Sequence, residues 1–272
     1  MRKLCLFYLF ALAALLGCQW QLSSSQEQHE NPTGVVIDRF DRVESLYLTM
    51  ADYAALRQMK TDYPLQTRNL VENVLQLGKA NDPQIDSQLL TFFQDTTLQT
   101  IINDVERIYE RTNDLEKQLS GAFKRLQTML PGIVVPRIYT QIGSLDQSIV
   151  VDDSILGISL DKYLGADHPV YLRYGYTEQQ RSMMTREYIV PDCLGFYLLS
   201  LYPMSEEADS VPELRRWHMS KIQSVVNQAM GRKIFANDNI EMLARYRQRH
   251  PHTTTHDLLM LDRHLPMVEE KR

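Results

Sequence analysis

The hydrophobic periodicity changes twice along this chain, and this change restricts its fold class. Over residues 98–130, apolar residues recur with the 3.6-residue period of amphipathic helices. Residues 133–160 instead contain short β-branched runs separated by turn residues, which is typical of strands. Helical periodicity returns at residue 187. The pattern therefore predicts an α+β fold that is predominantly helical, with a small antiparallel or mixed sheet of about three strands.

The predicted helices differ in how clearly the sequence marks them. The strongest patterns cover residues 98–109 and 115–130, and Asn113 and Glu116 have the spacing of a capping box before the second. Leu46, Met50, Tyr53 and Ala54 are expected to share one helix face. The remaining helices are predicted from similar patterns over residues 70–77, 83–93, 187–201, 214–230 and 239–248.

The predicted sheet is built from short segments. Residues 35–37 form one candidate strand, and residues 133–142 form the longest one. Pro136 cannot donate a ladder hydrogen bond, so residues 133–142 are expected at a sheet edge. Residues 148–151 are expected to pair back on this strand as a hairpin, and residues 155–160 to add a further short strand.

The N-terminus has the pattern of a bacterial lipoprotein signal. Arg2 and Lys3 precede an apolar run that is too short for a spanning helix and ends at Leu15-Leu16-Gly17-Cys18. Cleavage after residues 1–17 would leave Cys18 as the first mature residue and the lipid attachment site, carrying palmitate-type acyl chains. Two or more chains hold a protein stably on a bilayer. The alternative is an ordinary secretory signal with an incidental cysteine.

The signal also predicts the domain organisation and the location. Residues 18–33 are rich in Gln, Ser, Glu and Asn, and are expected to form a flexible tether. Residues 34–272 are expected to form a single domain. Gln19 replaces the Asp that favours retention at the inner membrane in better-known lipoproteins. The protein is therefore expected in the cell envelope, lipid-anchored in the outer membrane and facing the periplasm.

Composition excludes some functions. The net charge of −5 argues against nucleic acid as a partner, because phosphate binding needs a basic face. No Gly-rich nucleotide-binding motif is present, and no cofactor is predicted. Cys193 would be the only cysteine left after loss of Cys5 and acylation of Cys18, so no internal disulfide is expected. Its apolar neighbours favour a buried structural thiol.

Several groups of residues could carry chemistry, but none forms an intact catalytic motif. The C-terminal cluster comprises His250, His252, His256 and His264 with Asp257 and Asp262. His252 and His256 would share a face if they were helical, yet an exposed polar tail explains the cluster equally well. His168 is expected at the surface, and His218 is expected to be partly buried with a hydrogen-bond partner. No catalytic or metal-binding residue is assigned.

Carboxylates around the predicted sheet allow two interpretations. They are Asp38, Asp41, Asp146, Asp152, Asp153 and Asp161. Paired carboxylates could serve acid–base catalysis. Asp at strand ends more often caps turns and pairs with Arg, and this structural role is favoured here.

Three segments together resemble a known family. They are Ile37-Asp38-Arg39-Phe40-Asp41, residues 157–165 (GISLDKYLG) and residues 187–192 (EYIVPD). In this order, behind the lipoprotein signal, they resemble the gliding motility lipoprotein GldB family of Bacteroidetes over residues 34–200. The resemblance implies a lipid anchor and an envelope location, and it implies no catalytic residues.

The layout also resembles, loosely, zinc peptidases whose helix carries H-E-x-x-H after a small sheet. Here residues 191–195 (PDCLG) stand where such a motif would lie, so any zincin-like arrangement would be degenerate. The preferred hypothesis is a non-enzymatic envelope lipoprotein that acts through protein contacts. The alternatives are a zinc-peptidase-like enzyme, its inactive descendant that binds peptides along residues 133–142, and a small-molecule-binding lipoprotein.

The lipid anchor can be tested by one substitution. Cys18→Ser removes the acylated thiol, so we expect the protein to leave the membrane fraction, as measured by cell fractionation and by mass spectrometry of the mature N-terminus. Cys193→Ala is the matched control and should remain in membranes. Unchanged membrane association of Cys18→Ser would contradict the anchor.

Overall fold

The computed structural model describes residues 34–152 and 154–262, and the side chains of residues 207 and 208 are not described. Cys18 and the predicted tether lie outside the described residues. Helices make up most of the described chain, and they surround one four-stranded mixed sheet. The predicted α+β, mainly helical class is confirmed, although the sheet has one strand more than expected.

The described chain begins with a two-residue strand, β1 (Ile37–Asp38), and a series of helices follows before the next strand. In order they are α1 (Phe40–Met50), α2 (Tyr53–Thr61), α3 (Pro64–Arg68), a π-helix (Asn69–Val74), α4 (Ile85–Phe92), α5 (Thr96–Ile108) and α6 (Asn113–Met129). Asp52 and Asp95 cap α2 and α5 by accepting backbone N–H bonds in the first turn.

The two strongest helix predictions are confirmed in α5 and α6. The predicted stripe of α5 is buried at Leu98, Ile101, Ile102 and Val105, and α6 ends before Pro131 as expected. The predicted capping box is wrong, because α6 begins at Asn113 and its N-cap residue, Thr112, makes no side-chain cap bond. Glu116 instead accepts the backbone N–H of Ile37 at 2.9 Å.

The prediction that Leu46, Met50, Tyr53 and Ala54 share one helix face is wrong. Ala51 adopts φ 52° and separates α1 from α2, so these residues do not lie on one continuous helix. Met50 is 65% exposed and Tyr53 is 71% exposed. The buried face of α1 instead contains Phe40, Val43, Tyr47 and Leu48 together with the acidic residues Asp41 and Glu44.

The sheet has the strand order β1-β2-β4-β3. The remaining strands are β2 (Arg137–Gln141), β3 (Ile149–Asp152) and β4 (Ile155–Ser159). β1, β2 and β4 are parallel, and β3 is antiparallel to β4. The predicted hairpin between residues 148–151 and 133–142 is therefore wrong, because β3 pairs with β4 on the far side from β2.

The prediction that residues 133–142 form an edge strand is also wrong. β2 lies between β1 and β4, and Pro136 precedes its first residue. The outer side of β1 is covered by α6, where Ser120 Oγ accepts the N–H of Val35 at 2.8 Å and Glu116 accepts that of Ile37. A peptide cannot add to β2 along residues 133–142 unless β1 is displaced.

The C-terminal half is helical. It contains a 3₁₀ turn (Leu160–Tyr163), α7 (Pro169–Arg173), α8 (Glu178–Met183), a second 3₁₀ turn (Arg186–Tyr188), α9 (Ile189–Leu201), α10 (Glu206–Ser210), α11 (Pro212–Met230), α12 (Asp238–Arg249) and α13 (Thr255–Met260). The helices predicted over 187–201, 214–230 and 239–248 are confirmed. Within residues 34–152 and 154–262, no helix combines the length and the hydropathy needed to cross a bilayer.

One glycine of the second resemblance segment is required by packing. Gly157 pairs with Tyr139 across β2 and β4, and the Tyr139 ring lies over it. A Cβ atom at residue 157 would lie 2.5 Å from Tyr139 Cζ. Because Tyr139 is itself buried, its ring has little room to move.

Gly157→Ala is therefore expected to destabilise the fold by about 2 kcal/mol, from overpacking between two central strands. Gly195→Ala is the matched control, because a Cβ atom there meets nothing within 4 Å and the residue lies in α9. The control should be neutral or stabilise by about 0.5–1 kcal/mol. Urea unfolding of both variants measures the difference, and equal effects would contradict this packing role.

Candidate functional site

The first two resemblance segments meet at the carboxyl ends of the parallel strands. Ligands of open α/β sheets commonly bind at this end, so it is the first place to look for a site. Here β1 leads into α1, β2 leads into the loop that starts at Ile142, and β4 leads into the 3₁₀ turn. Three carboxyl groups lie in the interior at this point: Asp41, Glu44 and Asp161.

Asp41 is held by one cation and one hydroxyl. Arg39 donates to both of its carboxylate oxygens, at 2.8 and 2.7 Å, and Thr140 of β2 donates its hydroxyl to Oδ1. Asp38 forms a separate ion pair with Arg137 at 3.0 Å. Pairing with Arg at the strand ends is the structural role favoured for these carboxylates.

Asp161 joins the chain after β4 to the loop after β2. Its two oxygens accept the backbone N–H groups of Gly143 at 2.8 Å and of Leu145 at 2.5 Å. Burial raises the pKa of this carboxyl, and the two N–H bonds oppose the shift. The side chain therefore provides acceptors for two buried backbone N–H groups and presents no oxygen to solvent.

The sequence analysis did not identify Glu44 as a buried acid, although its position relative to apolar residues indicates one. It is one turn from Phe40 and Tyr47, so it stands as an acid on the apolar face of a helix. Its Oε2 accepts the N–H of Ile142 at 2.9 Å. Burial raises its pKa well above the usual value.

The third segment is joined to the second by a tyrosine. Tyr163 donates its hydroxyl to Asp192 Oδ2 at 2.7 Å, and its carbonyl accepts the hydroxyl of Tyr109 at 2.5 Å. Burial raises the pKa of Asp192 to about 6, opposed by the bond from Tyr163. Cys193 is fully buried beside Asp192, and burial raises the pKa of its thiol, so the predicted buried cysteine is confirmed.

The other acidic candidates do not join this group. Asp152 of β3 accepts a hydrogen bond from Asn69 at 3.2 Å, and Asp146 is exposed in the loop after β2. Asp153 lies outside the described residues.

The C-terminal histidines are not brought together. α13 begins at Thr255, so His252 lies in the preceding turn, and the helical face that it could have shared with His256 is not formed. His256 contacts the hydroxyl of Tyr202 at 3.2 Å, and His250 stacks on Tyr246. His264 lies outside the described residues. Within the described ranges, no group of three or more His, Cys, Asp or Glu side chains is arranged to hold a metal ion.

The remaining histidines are held by internal bonds. The expectation that His168 is a surface residue is wrong, since its side chain is only 11% exposed. Its Nε2 lies 3.1 Å from Asp104, and its Nδ1 accepts the N–H of Val170. His218 is half-buried against the carbonyl of Tyr202 at 2.9 Å, as predicted, and burial lowers its pKa.

His168 borders an open polar groove of about 440 Å³. The groove is lined by Thr96, Thr97, Thr100, Ile101, Asp104, His168, Pro169, Val170 and Arg173. Both ring nitrogens of His168 are engaged, and Asp104 also accepts a bond from Arg107 at 2.6 Å. This His–Asp pair therefore positions α7 on α5.

Asp192 provides a pH test of the interior. Its folded pKa lies about two units above the ordinary Asp value, so its contribution to stability is complete below about pH 4 and is lost as the pH rises through about 6. Asp192→Asn cannot ionise but can still accept from Tyr163. We expect it to gain up to about 3 kcal/mol relative to wild type between pH 4 and pH 7.5, measured by urea unfolding.

Asp146→Asn serves as an exposed control for the same chemical change and should follow wild type at both pH values. An Asp192→Asn variant whose difference from wild type does not change with pH would contradict a raised pKa at this position.

Comparison with known proteins places the chain in a family. The family model described as gliding motility protein GldB matches residues 22–214. This span contains all three segments and ends within α11, in agreement with a resemblance that fades toward the C-terminus. No curated protein and no solved structure matches the chain. Because the match covers more than half of its residues, the chain belongs to the gliding motility protein GldB family.

Proposed function

We propose that this protein is an outer-membrane lipoprotein facing the periplasm, anchored through acyl chains on Cys18, that works through contacts with other envelope proteins and catalyses no reaction. Membership of the GldB family supports a role related to that protein and a lipoprotein of the cell envelope. The anchor, the membrane and the non-enzymatic mechanism are the parts that we propose.

The observation that carries the proposal is that the acidic side chains of the three resemblance segments form hydrogen bonds inside the protein. Asp41, Asp161 and Asp192 all point inward and accept hydrogen bonds from the protein itself. General acids and bases must reach the substrate within hydrogen-bond distance. The hydrogen bonds that these carboxylates accept hold strands, loops and helices together. The three segments therefore support a structural role.

An anchored scaffold gains from its location. Attachment to a membrane confines the domain to a thin layer and raises its effective concentration near other membrane-attached proteins. Protein contacts that would be weak in free solution can then suffice for assembly. This physical effect requires the acylated Cys18 and does not require a catalytic residue.

Complementation separates this proposal from an enzyme. In cells that lack the protein, we expect Cys18→Ser to fail to restore the motility or growth phenotype, because the domain is no longer held at the membrane. Asp192→Asn and the double variant His252→Ala, His256→Ala should restore it. Immunoblotting of each variant controls for its amount.

The opposite pattern would overturn the proposal. Loss of function in folded Asp192→Asn would contradict a purely structural role for this carboxyl group. Stoichiometric zinc in the purified full-length protein that disappears with His252→Ala, His256→Ala would identify a zinc-peptidase-like enzyme. Elemental analysis of the purified protein measures the metal directly.

A further inference from the structure

The junction between α1 and the sheet holds more acidic groups than its positive charges can compensate. Asp41, Glu44 and Asp161 are 1%, 0% and 0% exposed. An ionised carboxylate at such a depth requires a cation or several hydrogen-bond donors, because it has lost its water. The three groups differ sharply in how far this requirement is met.

Two of the three carboxylates are well compensated. Asp41 receives both N–H groups of the Arg39 fork and the hydroxyl of Thr140. Asp161 receives two backbone N–H groups, one on each oxygen. Both oxygens of each of these two carboxyl groups therefore have a hydrogen-bond donor.

Glu44 is not compensated in this way. Its Oε2 accepts one backbone N–H, from Ile142. Its Oε1 is buried and has no hydrogen-bond partner in the part of the chain that the structure describes. The negative charges of Asp41 and Asp161 both face it and oppose its ionisation.

The cations carried by the neighbouring segments are already engaged. Arg39 pairs with Asp41. Lys162, next to Asp161, donates to the carbonyl of Leu145 at 3.1 Å and to the hydroxyl of Tyr176 at 3.1 Å.

Among the residues that the structure describes, the charged groups that act on Glu44 are the two acids Asp41 and Asp161. α5 contacts α1 next to Glu44 through another acid, Glu106, which accepts the hydroxyl of Ser45. From β2 the facing group is Tyr139, which is neutral and buried. The local charge balance therefore lacks one positive charge.

We propose that Glu44 is a neutral carboxylic acid in the folded protein and that its proton is a pH-sensitive latch between α1 and the sheet. With the proton present, α1 can pack with Glu44 beside Asp41 and Asp161. Without it, a third negative charge enters the cluster with one N–H donor to stabilise it. The contact between Glu44 and the Ile142 N–H is then the contact that should open.

The direction of the pH effect follows from the burial. Burial raises the pKa of Glu44 above its unfolded value, and repulsion from Asp41 and Asp161 adds to the shift, while the Ile142 N–H opposes it. A raised pKa means that the stabilisation is complete below the unfolded pKa and is lost as the pH rises through the folded one. Ionisation of Glu44 at alkaline pH should therefore weaken the packing of α1 against the sheet.

Glu44→Gln tests the proposal, because glutamine has the shape of a protonated glutamate and can still accept from Ile142, but cannot ionise. In the full-length protein in detergent at pH 7.5, we expect wild type to show the infrared carbonyl band of a buried protonated carboxyl group and Glu44→Gln to lack it. Between pH 6 and pH 9, the unfolding temperature of wild type should fall by several degrees relative to Glu44→Gln.

Glu116→Gln is the matched control. Glu116 also accepts a backbone N–H, from Ile37, but it is only half-buried. This variant should keep the infrared band and follow the pH dependence of wild type.

Two outcomes would overturn the latch. One is a carbonyl band that persists in Glu44→Gln, and the other is an unfolding temperature that differs from wild type by the same amount at every pH. If Glu44→Gln does not fold, wild type labelled with ¹³C at the glutamate carboxyl carbons decides the question by NMR. A signal that keeps the neutral-acid shift at pH 7.5 supports the proposal, and its absence refutes it.

Discussion

The fold depends on carboxylates that accept backbone N–H groups where the parallel strands end. β1 has two residues, and β2 and β4 have five each, so the strand ladder supplies few hydrogen bonds. Ile142, Gly143 and Leu145 in the loop after β2 are buried, and their N–H groups would be left without acceptors. Asp161 and Glu44 provide them. Leaving one such donor unsatisfied costs about 1–3 kcal/mol, a large part of the net stability of a domain.

This arrangement explains why the three segments that resemble the GldB family contain acids that lie inside the protein. The first segment supplies Asp41, the second Asp161 and Gly157, and the third Asp192. Gly157 admits the ring of Tyr139, and Asp192 receives the hydroxyl of Tyr163. These residues of the three segments thus hold the sheet, the 3₁₀ turn and the helix α9 together.

The exposed surface of α1 and α2 carries apolar side chains that their spacing alone would assign to one helix face. Leu46, Met50 and Tyr53 are 40%, 65% and 71% exposed, although their spacing is that of a buried helix face. A single left-handed residue, Ala51, breaks the helix and turns this face away from the core. The buried face of α1 is correspondingly more polar, because it carries Asp41 and Glu44 to the strand ends.

Sequence alone determined the features that depend on neighbours within one or two turns. The stripes of α5, α6 and α11, the helix stop at Pro131 and the α+β class follow from local periodicity, because a helix buries the same face whatever it packs against. The burial of Cys193 followed from its apolar neighbours in the same way.

Only the tertiary structure decided the strand order and the buried cluster. β2 becomes an inner strand because Ile37 and Asp38, about a hundred residues earlier, pair with it. The sequence indicated a short strand at residues 35–37, but no local pattern shows which strand it pairs with. The hairpin failed for the same reason, since β2 found a parallel partner in β4. Glu44 matters only because non-local packing places it between Asp41 and Asp161, where water cannot reach it, and the energy of a charge depends on those surroundings more than on its position in the chain.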